Sequence, residues 1–333
     1  MGPEMELVRS VEQVPRHPGG NRVAIGMWDG VHLGHQSILR ALVDSARAAG
    51  GQSVVMGFDP HPMALLRPEE APRHLQSVEE RADVLAALGV DVHLVIPFTR
   101  EFADLTADQF VDRILIGDLC ARQVMVGFNF TFGRGGRGTA GTLVELCARH
   151  GVEVRVFEPV RLGGETVSST AVRYLLAAGE VGRAGELLGR PFALSGEVIP
   201  GDRRGRRLGF PTANLNTAAG RQLPAPGVYA VRVTVLPPGR HAVLPHEGGV
   251  TRYGGMLNLG TRPTVGGTGL RVEVHLFGFQ GDLYGRRLQV EFVRRLRAER
   301  AFPDLDALAR QLHQDERNAR AALAEFDPSL LSA

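Results

Sequence analysis

Two histidines that bracket a Leu-Gly pair form the first group of residues that could do chemistry. The string Gly26-Met-Trp-Asp-Gly-Val-His32-Leu-Gly34-His35 follows an apolar run and leads into a helical pattern. A glycine-rich turn at a helix N-terminus offers unpaired backbone N–H groups and the positive end of the helix dipole to a phosphate. The imidazoles add donors that can follow charge as it builds on a phosphorus centre. The GK[ST] ending of a Walker loop is absent. The alternative interpretation is a helix cap with incidental histidines.

A second group of candidate phosphate ligands lies in the string Val-Ser-Ser-Thr-Ala-Val-Arg at 167–173. It places Ser168 or Ser169 where a helix begins and Arg173 on the first turn of that helix. Hydroxyls and an arginine fork at a helix start again suit a polyphosphate. By itself the string is more often an ordinary helix N-cap.

Two further strings follow predicted strands and could recognise a planar ring. Phe58-Asp-Pro-His61-Pro comes after one strand, and Gly127-Phe-Asn129-Phe-Thr-Phe-Gly133 comes after a later one. Aromatic residues that flank an amide at a strand end can stack a ring and read its edge. Each string also has a plain interpretation as core or turn.

The second half of the chain opens with a segment rich in glycine and arginine, 196–215, which ends in Phe-Pro-Thr212-Ala-Asn214-Leu. Its four arginines and its glycines can fold over an anion. A hydroxyl and an amide two residues apart on an extended segment point to one face. Such oxygen ligands suit Mg²⁺ held jointly with substrate phosphates. The alternative is a basic surface loop followed by a turn.

A carboxylate stands on an otherwise apolar strand further along the chain. The string Val272-Glu273-Val-His275-Leu-Phe puts Glu273 and His275 on one strand face, with valines on the other. A carboxylate in such a place is costly unless it is paired or solvated, which makes it a site candidate. A glutamate there could take the proton from a primary hydroxyl that attacks a γ-phosphate.

Composition excludes several function classes. The formal net charge of the 333 residues is +2, so no strong basic field favours nucleic acid or an anionic membrane. Every basic residue among the 38 is an arginine, which excludes Schiff-base chemistry on lysine. Cys120 and Cys147 are far apart, which argues against a cysteine zinc site and predicts two buried thiols in a reducing compartment. Without a secretory signal pattern or a long apolar run, we expect a soluble cytoplasmic protein.

The first half alternates short apolar runs with helical patterns, which predicts an α/β domain with a doubly wound, mostly parallel sheet. Predicted strands cover 22–27, 54–58, 92–96, 124–126 and 152–157, and predicted helices cover 34–49, 78–88, 107–116 and 143–150. Ligands bind such sheets at the carboxyl ends of the strands. The loops after the strands are therefore where we expect chemistry.

From about Leu187 the pattern changes to β-branched runs between glycine and proline turns, which predicts an antiparallel barrel or sandwich. Predicted strands cover 195–199, 227–235, 253–258, 271–277 and 288–292, a long hairpin loop covers 240–249, and an amphipathic helix ends the chain at about 304–326. The predicted domains are residues 1–186 and 187–333.

The HxGH string together with SSTxxR resembles the nucleotidyltransferase superfamily. FDPHP and GFNFTFG narrow the likeness to the FMN adenylyltransferase module of prokaryotic bifunctional riboflavin kinase/FAD synthetases. The resemblance implies attack of the FMN phosphate on the α-phosphorus of ATP, with Mg²⁺ assisting and pyrophosphate leaving. Positioning and charge stabilisation would then provide most of the rate. It further implies a catalytic role for His32 and His35, ATP and phosphate binding by Gly26, Gly34, Asn129, Ser169, Thr170 and Arg173, and flavin contacts from His61 and Asn129.

The strings GRxLGFPTAN, GMxNxGTRPT, EVHLF and DLYG, in that order, closely resemble riboflavin kinase over nearly all of the second half. The resemblance implies that Thr212 and Asn214 bind Mg²⁺ and the ATP phosphates. It makes Glu273 the general base that acts on the ribityl 5′-hydroxyl, and it places Arg297 near the flavin.

Three positions depart from the pattern of these families. Trp28 stands where phenylalanine is usual, Thr131 where arginine is frequent, and Gly278 where aspartate is common. Trp28 replaces one aromatic ring by another, and Gly278 implies a local change in the loop. Thr131 could weaken one phosphate contact, for which Arg134 or Arg137 could substitute.

The sequence thus predicts a two-step enzyme. Riboflavin and ATP give FMN and ADP in the barrel, and FMN and ATP then give FAD and pyrophosphate in the N-terminal domain. The expected ligands are riboflavin, FMN, FAD, ATP and Mg²⁺, without nucleic acid or membrane, and oligomeric state leaves no mark in the sequence. One alternative is that a single activity is retained. Another is that the barrel binds nucleic acid, with an affinity that falls steeply as salt is added.

Overall fold

A computed structural model describes residues 5–201, 205, 209–245, 247–264, 267–327 and 330, and the side chains of 261–270 are not described. The four arginines predicted to fold over an anion, at 203, 204, 206 and 207, lie outside these residues. The described chain forms two compact units, residues 5–73 with 81–167, and residues 74–80 with 168–330. The domain boundary between 186 and 187 stays a prediction.

The first unit contains the predicted parallel sheet. Its strands, in chain order, are β1 Glu6–Val8, β2 Asn21–Ile25, β3 Gln52–Asp59, β4 Val92–Pro97, β5 Ala121–Gly127, β6 Thr131–Phe132, β7 Gly138–Thr139, β8 Glu153–Phe157, β9 Arg161–Leu162 and β10 Glu165–Thr166. Six of them pair only in parallel, in the order β1-β4-β3-β2-β5-β8. The central strands are buried on both faces, which explains why they appear in the sequence as continuous apolar runs.

Helices accompany this sheet. The segment predicted as an α-helix over 107–116 is mostly a π-helix in the structure. The helices are α1 Leu33–Ala48, α2 Pro62–Leu66, α3 Val78–Ala87, α4 Arg100–Ala103, α5 Ala107–Gln109, a π-helix at Phe110–Asp118, and α6 Ala140–Ala148. At the end of the π-helix the Leu119 N–H donates to the Ile114 carbonyl five residues back, so the helix widens instead of continuing as α.

The strand order of the parallel sheet reverses beside β2. From β2 the chain proceeds to β3 and β4 on one side, and it later returns to place β5 and β8 on the other side. The carboxyl ends of β2 and β5 therefore flank the switch point, where open parallel sheets bind ligands. The HxGH string follows β2 and the 127–133 string follows β5. The fold thus brings the HxGH string and the 127–133 string to one edge of the sheet.

The two cysteines of the first unit differ in burial. Cys147 is buried, and burial raises the pKa of its thiol to about 11. Cys120 is only half-buried, so the prediction of two buried thiols is wrong for this residue. The reason is its place in the turn before β5, where it adopts a left-handed φ of 48°.

His93 on β4 is a buried titratable group that makes the stability of the first unit depend on pH. Its side chain is fully buried, and neither ring nitrogen has a hydrogen-bond partner among the described residues. Burial, with the nearby charges of Arg81 and Arg9, lowers the pKa of His93 from 6.5 to about 3. Between these values the unfolded chain binds the extra proton, so stability falls as the pH falls.

We expect His93→Leu to flatten the acid side of the stability profile. Between pH 6.5 and pH 5 the wild-type protein should lose about 1.6 kcal/mol of unfolding free energy through this group, because the unfolded histidine goes from half to almost fully protonated while the folded one stays neutral. Urea unfolding of the first unit at a series of pH values measures the slope. The exposed His17 supplies the control variant His17→Leu, which should keep the wild-type slope. Equal slopes in wild type and His93→Leu would contradict the prediction.

The second unit contains a closed six-stranded barrel, so the predicted barrel or sandwich is a barrel. Its strands are β11 Ala193–Ile199, β12 Ala213–Thr217, β13 Gly227–Val235, β14 Arg252–Thr264, β15 Gly267–Leu276 and β16 Arg287–Arg297. All pairs are antiparallel, in the order β11-β12-β15-β14-β13-β16. The predicted hairpin loop connects β13 and β14.

Helices complete this unit: α7 Ser169–Ala178, α8 Val181–Leu188 and the C-terminal helix α9 Leu305–Phe326. The apolar stripe of α9, including Ala319 and Leu323, packs with Phe210, Ala230 and Phe277 of the barrel. This contact explains the predicted amphipathic pattern. In the described part of the chain, no helix combines the length and the apolar composition that crossing a membrane requires.

Candidate active sites

The turn after β2 places the two histidines at the start of α1. His32 is the N-cap, and its Nδ1 accepts a hydrogen bond of 3.2 Å from the backbone N–H of His35. The two imidazoles stack with their centroids 3.6 Å apart. His32 is buried and His35 is half-buried. The predicted donors therefore form one unit at the helix N-terminus.

Gly26 and Gly34 lie close to aromatic rings. A Cβ added to Gly34 would lie 3.2 Å from two atoms of the His32 ring, and one added to Gly26 would lie 3.2 Å from the Trp28 ring. Their contacts with ATP phosphates stay predictions.

Trp28 packs against the histidine pair, a contact that was not predicted from the sequence. Its indole N–H donates to the Met56 carbonyl at 2.8 Å, and its ring meets the ring of His35 edge to face at 5.2 Å between centroids. The side chain is buried. The residue at the position where phenylalanine is usual therefore packs directly against His35, one of the two histidines predicted to contact phosphate.

The two strings predicted to contact flavin lie at the ends of β3 and β5. His61 caps α2, where its Nδ1 accepts a 3.1 Å hydrogen bond from the Met63 N–H. Asn129 is exposed. Aromatic rings connect the two regions, with neighbouring centroids 5.4 to 6.2 Å apart along the series Phe58, Phe102, Phe110 and Phe132. Flavin contacts at His61 and Asn129 stay predictions.

The SSTxxR string begins α7. Ser168 is the N-cap and accepts a 3.1 Å hydrogen bond from the Ala171 N–H, so Ser169 and Thr170 are the first helical residues. Arg173 follows one turn later and is half-buried. All of these residues belong to the second compact unit. Their binding of phosphate stays a prediction.

In the barrel, Asn214, Glu273 and Asn258 share one row. Glu273 on β15 is the register partner of Asn214 on β12 and of Asn258 on β14. Directly opposite residues of antiparallel strands project to the same face, with Cβ atoms about 5 Å apart. All three are half-buried, between buried strand neighbours such as Val272 and Val274. Sequence reasoning missed Asn258, since only strand register places it beside Glu273.

Glu273 and His275 share a face as predicted, and they have different surroundings. Among the described residues no cation lies within ion-pair distance of the Glu273 carboxylate. The His275 Nδ1–H donates to the Pro211 carbonyl at 2.8 Å, and its ring meets the Phe210 ring edge to face. The imidazole thus fixes the segment just before Thr212, and the role of Glu273 as general base stays a prediction.

Gly201, in the segment that precedes β12, lies close to the side chain of Asn214. Thr212 is exposed and Asn214 is half-buried, and they alternate with the buried Ala213 and Leu215. A Cβ on Gly201 would lie 2.0 Å from the Asn214 Nδ2 atom. Gly201 therefore lies directly against the Asn214 side chain, and a larger residue at 201 would require that side chain to shift.

Arg297 directs its guanidinium at the C-terminal helix. Its Nε and Nη2 atoms donate to the Asp315 carboxylate at 3.0 and 2.8 Å, and Asp315 is buried. Such a bidentate pair fixes the end of β16 against α9. The flavin contact of Arg297 stays a prediction.

The two halves of the chain match two protein families. Residues 14–171 match FAD synthetase, and residues 188–323 match riboflavin kinase. The bifunctional riboflavin kinase/FMN adenylyltransferase of Escherichia coli K12 is 39% identical over 318 residues, which cover 95% of this chain and 97% of that protein. The Pseudomonas fluorescens protein of the same name is 39% identical over 96% and 98% of the two chains, and the Bacillus subtilis protein is 35% identical over 89% and 90%.

A solved structure has the same architecture. A crystal structure described as a macrolide-efflux protein from Streptococcus pneumoniae superposes with a TM-score of 0.82 and 32% sequence identity, and covers 95% of this chain and 98% of its own. The similarity in structure therefore extends over both compact units.

Proposed function

This chain belongs to the bifunctional riboflavin kinase/FMN adenylyltransferase family, and from that premise we propose how its residues carry out the two reactions. The barrel phosphorylates riboflavin with ATP to give FMN, and the α/β domain adenylylates FMN with ATP to give FAD and pyrophosphate. The observation that supports this division most directly is the Asn214–Glu273–Asn258 row in the barrel, separate in the fold from the stacked His32 and His35 at the sheet's switch point.

In the kinase reaction Glu273 acts as the general base. Its carboxylate accepts the proton of the ribityl 5′-hydroxyl as that oxygen attacks the γ-phosphorus of ATP and ADP leaves. The half-buried position of Glu273 on the barrel face, in register with Asn214 and Asn258, supports this role.

Mg²⁺ fits the side-chain oxygen atoms of Thr212 and Asn214, at the start of β12. Mg²⁺ is usually bound by one or two protein oxygens together with water and substrate phosphates. The Thr212 hydroxyl and the Asn214 amide oxygen offer such ligands, and Asn214 is the register partner of Glu273. When bound, the ion would neutralise charge on the ATP phosphates. The protein would orient the nucleotide through these two side chains.

In the adenylyltransferase reaction a phosphate oxygen of FMN attacks the α-phosphorus of ATP, and the bond to the pyrophosphate breaks. No covalent bond to the protein is needed, so binding and charge stabilisation provide the rate. His32, His35 and the N–H groups of the first turn of α1 supply the donors. Ser169, Thr170 and Arg173 bind ATP phosphates, and His61 and Asn129 lie at the flavin end. Cytoplasmic location and the absence of a nucleic-acid partner are predictions from the sequence.

One incubation tests the two-step proposal. The full chain is mixed with riboflavin, ATP and Mg²⁺, and the flavins are separated by chromatography over time. We expect FMN to rise first and FAD to follow. A second incubation starts from FMN and should give FAD and pyrophosphate directly. Riboflavin that stays unchanged, or FMN that accumulates without any FAD, would show that one of the two reactions is absent.

A further inference from the structure

The turn between β2 and α1 has a backbone conformation that its residues disfavour. Trp28 and Val31 adopt φ values of 54° and 41°. In this left-handed region a residue with a side chain loses roughly 1–2 kcal/mol, and a β-branched residue is a rare occupant. Such a conformation persists only where the surrounding structure over-determines it. Contacts from outside the turn must therefore hold it.

Two such contacts come from β3 and from α1. The Trp28 indole N–H donates to the Met56 carbonyl of β3 at 2.8 Å. The side-chain amide of Gln36 on α1 donates to the Val31 carbonyl at 2.9 Å. They fix the indole ring and the end of the turn. Neither contact holds its beginning.

Arg81 on α3 holds the beginning of the turn. Its Nη1 donates to the Met27 carbonyl at 3.0 Å, and the side chain is only 3% exposed. A Cβ added to Gly57 would lie 3.4 Å from the Trp28 ring and 3.9 Å from this Nη1, so both side chains pack on the same glycine. A hydrogen bond from a charged donor in a buried place is stronger than a neutral one. The guanidinium thus fixes the peptide bond between Met27 and Trp28. The Trp28 ring in turn contacts the His35 ring.

We propose that Arg81 is a positioning residue for FMN adenylylation, and this inference rests on the proposed function of the α/β domain. By holding the Met27 carbonyl it keeps Trp28 under His35 and so keeps the His32 and His35 rings aligned with the α-phosphate of ATP. Arg81 itself does not contact the substrate. Its loss should lower the rate of the chemical step more than it weakens ATP binding, because the N–H donors of α1 remain.

The chain contains one tryptophan, so its fluorescence reports on this turn alone. We expect Arg81→Met in the full-length protein to lower kcat for FMN adenylylation by about 10- to 100-fold, the cost of a displacement of about 1 Å. KM for ATP should change far less. Acrylamide should quench Trp28 more strongly than in the wild type, and riboflavin phosphorylation should be unchanged. Arg81→Lys, which keeps a charged donor, should recover part of the rate and of the Trp28 protection.

The exposed Arg113 provides the matched control, and Arg113→Met should behave as the wild type. The inference is overturned if Arg81→Met keeps its kcat, or if kcat falls while the quenching of Trp28 does not change. Loss of both reactions in Arg81→Met and in Arg81→Lys would assign Arg81 to folding and would also overturn it. If the wild-type protein makes no FAD, the proposed function is wrong instead. The quenching of Trp28 in the variants then still tests whether the Arg81 hydrogen bond to the Met27 carbonyl holds the turn.

Discussion

Glu273→Gln should abolish riboflavin phosphorylation and leave FMN adenylylation intact. Glutamine has the size of glutamate and would occupy the same place between Asn214 and Asn258, the register partners of residue 273, but its amide cannot take a proton from the attacking hydroxyl. Loss of a general base lowers the rate by about 100- to 10,000-fold. The measurement is the initial rate of FMN formation from riboflavin, followed by the rate of FAD formation from supplied FMN with the same protein.

The second rate is the internal control for folding, because it is measured on the same molecules. Glu197 on β11 offers a matched variant, since it is an exposed glutamate on another strand of the same barrel. Glu197→Gln should keep both rates. If Glu273→Gln still phosphorylated riboflavin at the wild-type rate, another group would have to accept the proton. If it lost both reactions while folded, the assignment of one reaction to each domain would be wrong.

The elements that position the chemistry were predictable where hydrophobic pattern and length agree. The strand over 227–235 and the C-terminal helix were predicted within a residue, because a long apolar run and a regular stripe leave few alternatives. β1 and β12 were not predicted as strands. β1 has three residues, too few to show a period, and β12 contains Asn214 and Asn216, which disfavour a strand until barrel neighbours pair with it.

The sequence motifs of the candidate sites could be predicted, but the residues that hold those motifs in place could not. Stacked imidazoles after β2 follow from two histidines at the start of a helix. The contact of the Trp28 indole with His35 and the hydrogen bond from Arg81 to the Met27 carbonyl could not be predicted in this way. Arg81 is 54 residues from Met27 in the chain, and only the packing of α3 brings the two together. Asn258 likewise becomes part of the Glu273 row through strand register. Contacts of this kind depend on tertiary structure, which a single sequence does not state.

His35→Ala should produce the converse of the glutamate variant, with FMN accumulating and FAD almost absent. The side chain contributes a donor at the charge that develops on the phosphates, and removal of one such donor lowers kcat by about 100- to 1,000-fold. The backbone N–H groups of α1 remain, so ATP binding should weaken less than the chemical step. The measurement is kcat and KM for FMN adenylylation, with the time course of FMN formed from riboflavin in the same protein.

The exposed His17 lies outside the proposed site, and His17→Ala should show normal amounts of both products. The stack of His32 on His35 gives a second check on the reasoning. Removing the His35 ring leaves His32 without its partner, so the double variant His32→Ala/His35→Ala should lose much less than the product of the two single losses. Strictly multiplicative losses would show that the two rings act independently. Near-normal FAD formation in His35→Ala would show that the turn after β2 does not contact the reacting phosphates.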